Sequence, residues 1–259
     1  MPIDFHAEEN RHTYATRQAD PSWVAAIKSI VHVKGKHVLD IGCGGGIYSK
    51  ALADMGAAHV TCLDFSETSL SGAREHCQAY ANLSFVQGNA LDTGLYAQQY
   101  DVILERALIH HLRQDDLPAC FTEAFRLLKP GGTLIIQDRT PEDCLLPGSS
   151  TNIRGYFFER YPPLAEKEVA RRYENKLVLQ ALLHAGFQGV KEQKLWETRA
   201  IYPDFDALAQ NLLARTGRSI LHELTDEDLQ DLVSYIHEKL QGQTEIVEQD
   251  RWTIWSAMR

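Results

Sequence analysis

The sequence has few cysteines and no long apolar run. Its five cysteines are scattered along 259 residues, at Cys43, Cys62, Cys77, Cys120 and Cys144. A dispersed, odd-numbered set shows neither the close pairs of a zinc site nor a disulfide framework, so we expect a reducing compartment and no metal site. No stretch approaches the roughly 18 apolar residues that would span a bilayer, and the first residues lack a signal-peptide pattern. These absences predict a soluble, cytoplasmic protein without a membrane partner.

An excess of positive charge is also missing. The chain has 26 Lys and Arg against 35 Asp and Glu, a net charge of −9, and the acidity is spread over both halves. Nucleic-acid binding normally needs clustered basic residues that displace counterions from phosphates, so we expect no nucleic-acid partner. With 44% hydrophobic residues the composition is that of an ordinary globular protein, which excludes intrinsic disorder.

Short β-rich segments alternate with helical segments in the first half of the chain. The pattern predicts strands at 37–41, 59–63, 83–87, 100–104 and 132–137, and helices at 47–55, 67–80 and 114–128. Ser66 is a candidate N-cap, and Lys129-Pro130-Gly131-Gly132 ends a helix and turns into a strand. Strands separated by helices need crossover connections, so the class is α/β with a parallel sheet.

The pattern loosens after Arg139. Turn-forming residues fill 141–150, and an aromatic cluster follows at 156–161. Periodicity then predicts a helix at 175–185, a strand at 190–202, a helical stretch at 205–240 with a capping box at Thr225 and Asp228, and a last strand at 245–257. We interpret 1–36 as an N-terminal helical cap and 37–259 as one domain. That domain has a lid-like segment at 140–172 and a helical insertion at 203–243 between the last two strands.

A glycine-rich loop follows the first predicted strand, with the sequence Asp40-Ile41-Gly42-Cys43-Gly44-Gly45-Gly46. A chain that turns sharply into a helix while a ligand lies against its backbone cannot hold side chains at the contact points. Gly42 and Gly44 are therefore the expected positions of close approach, and Gly46 opens the helix. Asp64 ends the second strand, where nucleotide-binding folds place an acidic residue on the ribose hydroxyls. Together these features predict a nucleotide or nucleoside site; a tight turn without a ligand is the alternative.

The spacing of the glycines bears on which nucleotide binds. A dinucleotide fingerprint needs a third Gly or Ala at the position of Ile47, to let helix and strand pack around a pyrophosphate. Ile47 breaks that pattern and disfavours an NAD(P)-dependent oxidoreductase, which stays open as an alternative. The spacing suits a nucleoside that carries an amino-acid tail.

Four segments in order resemble the motifs of the class I S-adenosylmethionine-dependent methyltransferases, in particular the small-molecule group that includes ubiquinone and menaquinone biosynthesis enzymes. They are Val38 to Gly46, Tyr100 to Leu104, His110-His111-Leu112 and Leu127 to Gly132, and the resemblance covers roughly residues 10 to 140. It implies a Rossmann-like doubly wound sheet, mostly parallel with an antiparallel last strand and flanked by helices. It also implies S-adenosyl-L-methionine as cofactor and in-line transfer of its methyl group to a small-molecule acceptor.

The resemblance also assigns roles to individual residues. Asp40 and the backbone of Gly42 and Gly44 would face the methionine portion, and Asp64 would bind the ribose hydroxyls. The remaining expected cofactor contacts are Phe65, Asn89 and Ala90 at the adenine, Arg106 at the tail, and Tyr14 and Arg17 on a segment that folds over the cofactor. The family more often has Asp where Asn89 stands. Asn89 as a turn residue, Arg106 as a surface ion pair, and Tyr14 and Arg17 as a solvated helix are the alternatives.

A general base would be needed if the acceptor is a hydroxyl or an acidic carbon. The candidates after the fourth strand are Glu105, His110 and His111, and histidine titrates in the useful range. A packing role for the histidine pair is the alternative. A non-catalytic module that binds S-adenosylmethionine also stays open, as does a homodimer.

Overall fold

The computed structural model describes residues 18–259, so Tyr14 and Arg17 lie outside the described residues. A seven-stranded sheet has the order β3-β2-β1-β4-β5-β7-β6. Strands β1 to β5 pair in parallel, and β7 pairs antiparallel with β5. This confirms the predicted fold class of a mostly parallel, doubly wound sheet with an antiparallel last strand. The strands are β1 His37–Ile41, β2 His59–Asp64, β3 Leu83–Gln87, β4 Tyr100–Arg106, β5 Leu128–Asp138, β6 Gln188–Tyr202 and β7 Ile246–Met258.

Helix α1 precedes the first strand, and the other helices lie between strands along the chain. Two predicted caps are present: Ser66 Oγ accepts from the Ser69 N–H at 3.2 Å, and Thr225 Oγ1 accepts from the Asp228 N–H at 3.1 Å. The described helices are α1 Pro21–Ile30, α2 Ile47–Asp54, α3 Glu67–His76, α4 Leu117–Leu127, α5 Pro141–Cys144, α6 Ile153–Arg160, α7 Pro162–Val169, α8 Asn175–His184, α9 Phe205–Leu213 and α10 Asp226–Lys239.

Helix α5 lies where the sequence indicated turns, and helix α7 lies where no helix or strand was predicted. Pro141 and Pro162 are the first residues of α5 and α7, a position that favours proline because its missing N–H has no helical partner anyway. Thr140 caps α5 by accepting from the Asp143 N–H at 3.3 Å, and the Asp143 side chain accepts from the Thr140 N–H at 3.0 Å. The prolines of this segment therefore start helices as well as turns.

Two other boundaries differ from the prediction by four residues each. Helix α3 ends at His76, four residues early, and Cys77 caps it. Strand β5 begins at Leu128, because Leu128 pairs with Tyr100 and a register irregularity follows before Val102 pairs with Thr133. The Pro-Gly-Gly segment is accommodated within this irregularity.

The described chain divides into two compact units. The sheet unit contains residues 18–138, 173–195 and 253–259, and the helical unit contains 139–172 and 196–252. The lid-like segment and the helical insertion, treated separately above, thus fall in one unit. No helix of the described part is long and apolar enough to cross a membrane.

Each face of the sheet unit has its own buried core. Leu39 and Ile41 of β1 belong to the cluster that includes α4 and α8, and Val38 belongs to the cluster that includes α1 and α2, because successive strand residues point to opposite faces. Trp23 of α1 is fully buried, and its indole N–H donates to Gln137 Oε1 at 2.7 Å. Helix α1 is therefore fixed on the end of β5.

The helical unit has an apolar core and a buried ion cluster. Tyr156, Phe157 and Phe158 of α6 are buried in this core with residues of α9 and α10. The aromatic cluster thus packs the interior of this unit. Glu168 is fully buried and binds the guanidinium groups of Arg154 at 3.0 Å and Arg172 at 2.5 Å, and also that of Arg171.

Candidate cofactor and catalytic site

The glycine loop between β1 and α2 uses left-handed backbone at three positions. The φ angles are 75° at Gly42, 50° at Gly44 and 79° at Gly46. A Cβ at Gly46 would lie 2.8 Å from Cys77 Sγ, and one at Gly42 would lie 3.1 Å from Leu108 Cδ1. A Cβ at Gly44 would meet no atom within 4 Å. Gly46 therefore serves the packing of α2 on α3, whereas Gly44 borders open space.

Asp64 is tied to this loop by a hydrogen bond. Its Oδ2 accepts from the Gly44 N–H at 2.9 Å, and its Oδ1 accepts from the Ser66 N–H at 2.9 Å. The side chain is 6% exposed. The loop after β1 and the acid after β2, predicted to act together, are thus joined in one structure.

Asp40 lies beneath the loop. It is buried, and Ser49 Oγ of α2 donates to its Oδ2 at 2.5 Å. Burial raises the pKa of Asp40 to about 6, against the lowering effects of the Ser49 hydrogen bond and the positive charge of Arg106. Arg106 ends β4 and stacks on the ring of Tyr48, with its Cζ 3.9 Å from the ring centroid. Asp40 is therefore bound within the protein by α2.

The predicted adenine contacts have different surroundings. Phe65 directly follows Asp64 and is 52% exposed, which is unusual for a large apolar side chain. Asn89 Oδ1 accepts from the Leu91 N–H at 2.9 Å, and Ala90 is buried. The structure thus gives Asn89 the turn role that the sequence offered as an alternative, and a contact with adenine stays a prediction.

The histidine pair lies on a short 3-10 turn, Ile109–His111, after β4. His110 Nδ1 is 2.9 Å from Asp138 Oδ2 and 3.1 Å from Oδ1, and the backbone N–H of His110 donates to the same carboxylate at 3.3 Å. The rings of His110 and His111 are 4.0 Å apart. Only 10% of the His110 side chain and 1% of the Asp138 side chain are exposed.

Asp138 was not among the candidates from the sequence. It ends β5, the strand next to β4, and the carboxyl ends of parallel strands meet at one edge of the sheet. That rule could have identified it. The predicted strand ended at Gln137, so Asp138 was not recognised as a strand-end residue.

Glu105 is the third candidate base, and its surroundings do not suit that role. It is fully buried, and the Cys120 thiol donates to Oε1 at 3.7 Å. Oε2 has no hydrogen-bond partner among the described residues, and burial raises the pKa of Glu105 to about 8. The carboxyl group is therefore an interior, mostly protonated acid at neutral pH. Among residues 18–259 no group of three or more His, Cys, Asp or Glu could hold a metal ion.

Comparisons with known proteins identify the central segment. Residues 38–132 match the family model described as a methyltransferase domain. The chain is 36% identical over 116 residues to a ubiquinone biosynthesis O-methyltransferase of Coxiella burnetii, a match that covers 44% of this chain and 48% of the relative. The chain thus spans about half the length of the curated relatives it matches.

Solved structures share the fold over most of the chain. Phosphoethanolamine N-methyltransferase 2 of Haemonchus contortus, in complex with phosphomonomethylethanolamine and S-adenosylhomocysteine, has a TM-score of 0.61 at 17% identity, covering 99% of this chain and 61% of that one. A methyltransferase-like protein of Bacillus halodurans has a TM-score of 0.58 at 19% identity, covering 91% and 97%. Residues 38–132 thus match a methyltransferase domain, and the chain shares the fold of these solved structures. The curated relatives that it matches include ubiquinone biosynthesis O-methyltransferases, and the chain is similar to this group, as its motifs indicated.

Proposed function

We propose that this chain is an S-adenosylmethionine-dependent methyltransferase that acts on a small molecule. The observation that carries the proposal is the hydrogen bond between the Gly44 N–H and Asp64 Oδ2, which joins the two parts of the predicted nucleoside site. The methyltransferase domain match at 38–132 supports the choice of cofactor, because it includes both residues.

The residues present suit this cofactor. Gly44 leaves open space above the backbone, and Asp64 offers two carboxylate oxygens to a pair of ribose hydroxyls. Phe65 presents an exposed apolar ring beside that carboxylate for contact with a flat base. Asp40 and Arg106 provide one negative and one positive group near the end of β1 and β4 for the amino-acid tail.

His110 is the proposed general base. When bound, S-adenosylmethionine would supply an activated sulfonium methyl group for transfer to the acceptor. The chain's own task is to align the acceptor, exclude water and remove the acceptor's proton. The Coxiella relative is named an O-methyltransferase, which supports an oxygen acceptor here.

Charge and cysteine usage support the remaining expectations. The net charge of −9 favours a small molecule over a nucleic acid. All five cysteines are free and buried, in keeping with the cytoplasmic location expected from the sequence.

Calorimetry with three ligands tests the proposal. We expect S-adenosylmethionine and S-adenosylhomocysteine to bind with micromolar affinity, and NAD not to bind. Tight NAD binding without a response to S-adenosylmethionine would overturn it. Binding without methyl transfer to any member of a metabolite library, followed with labelled cofactor, would instead favour the non-catalytic module.

A further inference from the structure

One buried carboxylate in the helical unit holds three guanidinium groups. Glu168 lies in the last turn of α7 and is fully buried. Its Oε1 accepts from Arg154 at 3.0 Å and from Arg172 at 2.5 Å, and its Oε2 accepts from Arg171 Nε at 3.1 Å. Arg172 is the most deeply buried of the three arginines, with 4% of its side chain exposed, and forms a neutral pair with Glu168. Among residues 18–259, Arg154 and Arg171 have no second carboxylate within ion-pair distance.

Arg154 and Arg171 therefore bring positive charge in excess of the negative charge that they contact. The neighbouring ion pair of Arg139 and Asp250, at 2.6 Å, is neutral by itself and leaves this excess unchanged. Positive charge held in a low-dielectric interior is costly unless a counter-charge compensates it. The excess is also unexpected from the composition, because the chain as a whole has a net charge of −9.

Arg154 has an unused hydrogen-bond donor as well. Its Nη2 donates to Glu168, and its Cζ lies 5.9 Å from the centroid of the Phe158 ring. The buried Nε–H has no acceptor in the part of the chain that the structure describes. A buried donor without a partner has lost its hydrogen bond to water and gained nothing in return, so an incoming acceptor is favoured. The side chains of Arg154 and Arg171 are 14% and 30% exposed, so a ligand can reach both from solvent.

Hydrogen bonds fix the backbone on which both arginines lie. Asn152 precedes α6, and its Nδ2 donates to the Pro147 carbonyl at 2.9 Å. In the turn after α7, the Arg172 N–H donates to the Val169 carbonyl at 2.9 Å. Donors on fixed backbone lose less entropy when they bind a ligand.

We propose that Arg154 and Arg171 bind a dianionic group of a small molecule, either a phosphate monoester or a dicarboxylate. Each guanidinium group can donate parallel hydrogen bonds to paired oxygens, and Glu168 keeps the two groups beside each other. Two guanidinium groups match the charge of a dianion better than that of a single carboxylate. The site lies outside the methyltransferase match at 38–132, and the inference does not depend on the proposed function.

The first test follows the two side chains directly. NMR of the full chain labelled with ¹⁵N detects arginine Nε–H signals, which are assigned through Arg154→Lys, Arg171→Lys and Arg160→Gln. Sodium phosphate, malonate, acetate and chloride are compared at equal ionic strength near neutral pH. We expect phosphate and malonate to shift the Arg154 and Arg171 signals saturably at millimolar concentration, and the Arg160 signal to stay in place.

The comparison of salts also identifies the ligand class. Tighter binding of phosphate would indicate a phosphate monoester, and tighter binding of malonate a dicarboxylate. Unmoved signals of Arg154 and Arg171 would overturn the proposal. Equal shifts in acetate or chloride would overturn it too, because the site would then not select a dianion.

The second test uses variants and the melting temperature. A ligand that binds only the folded state raises the melting temperature, so phosphate should stabilise the unaltered protein relative to chloride at equal ionic strength. Arg171→Gln, at the more exposed of the two positions, should weaken phosphate binding at least about 10-fold, the loss expected of a charge-assisted hydrogen bond. Arg154→Gln should have the same effect.

Arg160→Gln is the matched control for these variants. It removes a guanidinium group from α6, the helix that carries Arg154, where Arg160 pairs with Asp231 at 2.6 Å. This variant should keep the full stabilisation by phosphate. Equal stabilisation of Arg160→Gln and Arg171→Gln would contradict the site, even if Arg154→Gln does not fold. Neither test contains S-adenosylmethionine, so a failure of cofactor binding would refute the proposed function and leave this result intact.

Discussion

Asp64 belongs both to the backbone structure and to the candidate site. Its two oxygens accept from the N–H groups of Gly44 and Ser66, so the carboxylate orients the glycine loop before any ligand arrives. A preoriented acceptor loses less entropy on binding than a mobile one. The same residue thus fixes the loop and is proposed to accept hydrogen bonds from the ligand.

Replacing Asp64 with alanine should weaken S-adenosylmethionine binding by about 1.5–3 kcal/mol, the range for hydrogen bonds to a charged group. Calorimetry measures this change. Asp92→Ala removes an exposed carboxylate from the turn after β3 and is the control. An unchanged affinity in Asp64→Ala would show that the ribose hydroxyls bind elsewhere.

Glu105 gives the protein a pH-dependent stability. Its carboxyl group is buried and its pKa is raised to about 8 in the folded state, from about 4.5 when unfolded. Between these values the folded state binds one proton more than the unfolded state, so the free energy of unfolding falls as pH rises.

Comparison with Glu105→Gln isolates this contribution. From pH 5 to pH 8 the unaltered protein should lose a few kcal/mol of stability relative to the variant, since each pKa unit corresponds to about 1.4 kcal/mol. Urea unfolding across this range measures the difference. Parallel stability curves would show that Glu105 titrates normally.

The candidate site residues differ in how far the sequence alone identifies them. Glycines, an acid after the next strand and a histidine pair stand in short motifs, so local spacing predicts them. The bond between His110 and Asp138 joins residues 28 positions apart, and it depends on β4 and β5 pairing in a particular register. No local pattern contains that register.

The residue before helix α2, Gly46, has to be a glycine because helix α3 packs against it. Gly46 has a φ of 79°, and a Cβ there would lie 2.8 Å from Cys77 Sγ at the end of α3. The sequence predicts that Gly46 forms the turn into the helix. Its contact with Cys77 depends on the packing of two helices and could not be predicted from the spacing of residues.

The variant Gly46→Ala should lower the free energy of unfolding by about 2–4 kcal/mol, because left-handed backbone costs a non-glycine residue about 1–2 kcal/mol and the Cβ also displaces Cys77. Gly35→Ala is the matched control, since Gly35 has a φ of 73° and open space around its Cβ position. It should show the backbone cost alone. Equal losses, measured by chemical denaturation, would refute the packing role of Gly46.

The sequence predicts helices and strands correctly where the hydrophobic periodicity is strong. It misses helices that begin with proline. Strands β1 and β3 have the predicted bounds, and the parallel order follows from the intervening helices. Helices α5 and α7 were missed because proline both ends helices and occupies their first turn. A short helix stabilised mainly by a capping box offers too few apolar positions for a period to be detected.

The molecule keeps a dense ion cluster inside the helical unit. Glu168 is fully buried among Arg154, Arg171 and Arg172, and the positive charges hold its pKa well below the usual range despite burial. Arg139 and Asp250 form a further buried pair at 2.6 Å. Removing one partner from such a group leaves an uncompensated charge in the interior.

Glu168→Gln should therefore destabilise the protein by about 3–5 kcal/mol. Glu223→Gln is the control in the same unit, because Glu223 pairs with Lys167 at a site where more than half of the lysine side chain is exposed. The control should leave the melting temperature nearly unchanged. If both variants melt alike, the cluster contributes little to stability.

The helical unit is built from two separate stretches of chain, 139–172 and 196–252, and the methyltransferase match at 38–132 ends before the first of them. Two of its four junctions, 195/196 and 252/253, fall inside strands β6 and β7. Consider a chimera in which a single crossover replaces part of this chain with the corresponding part of a methyltransferase. One stretch of the helical unit would then come from the donor protein and the other from this chain, so their side chains would not match in the shared core. Exchange of the helical unit by recombination therefore requires both stretches to be transferred together. The pairing registers of β6 and β7 must also be preserved at the junctions 195/196 and 252/253.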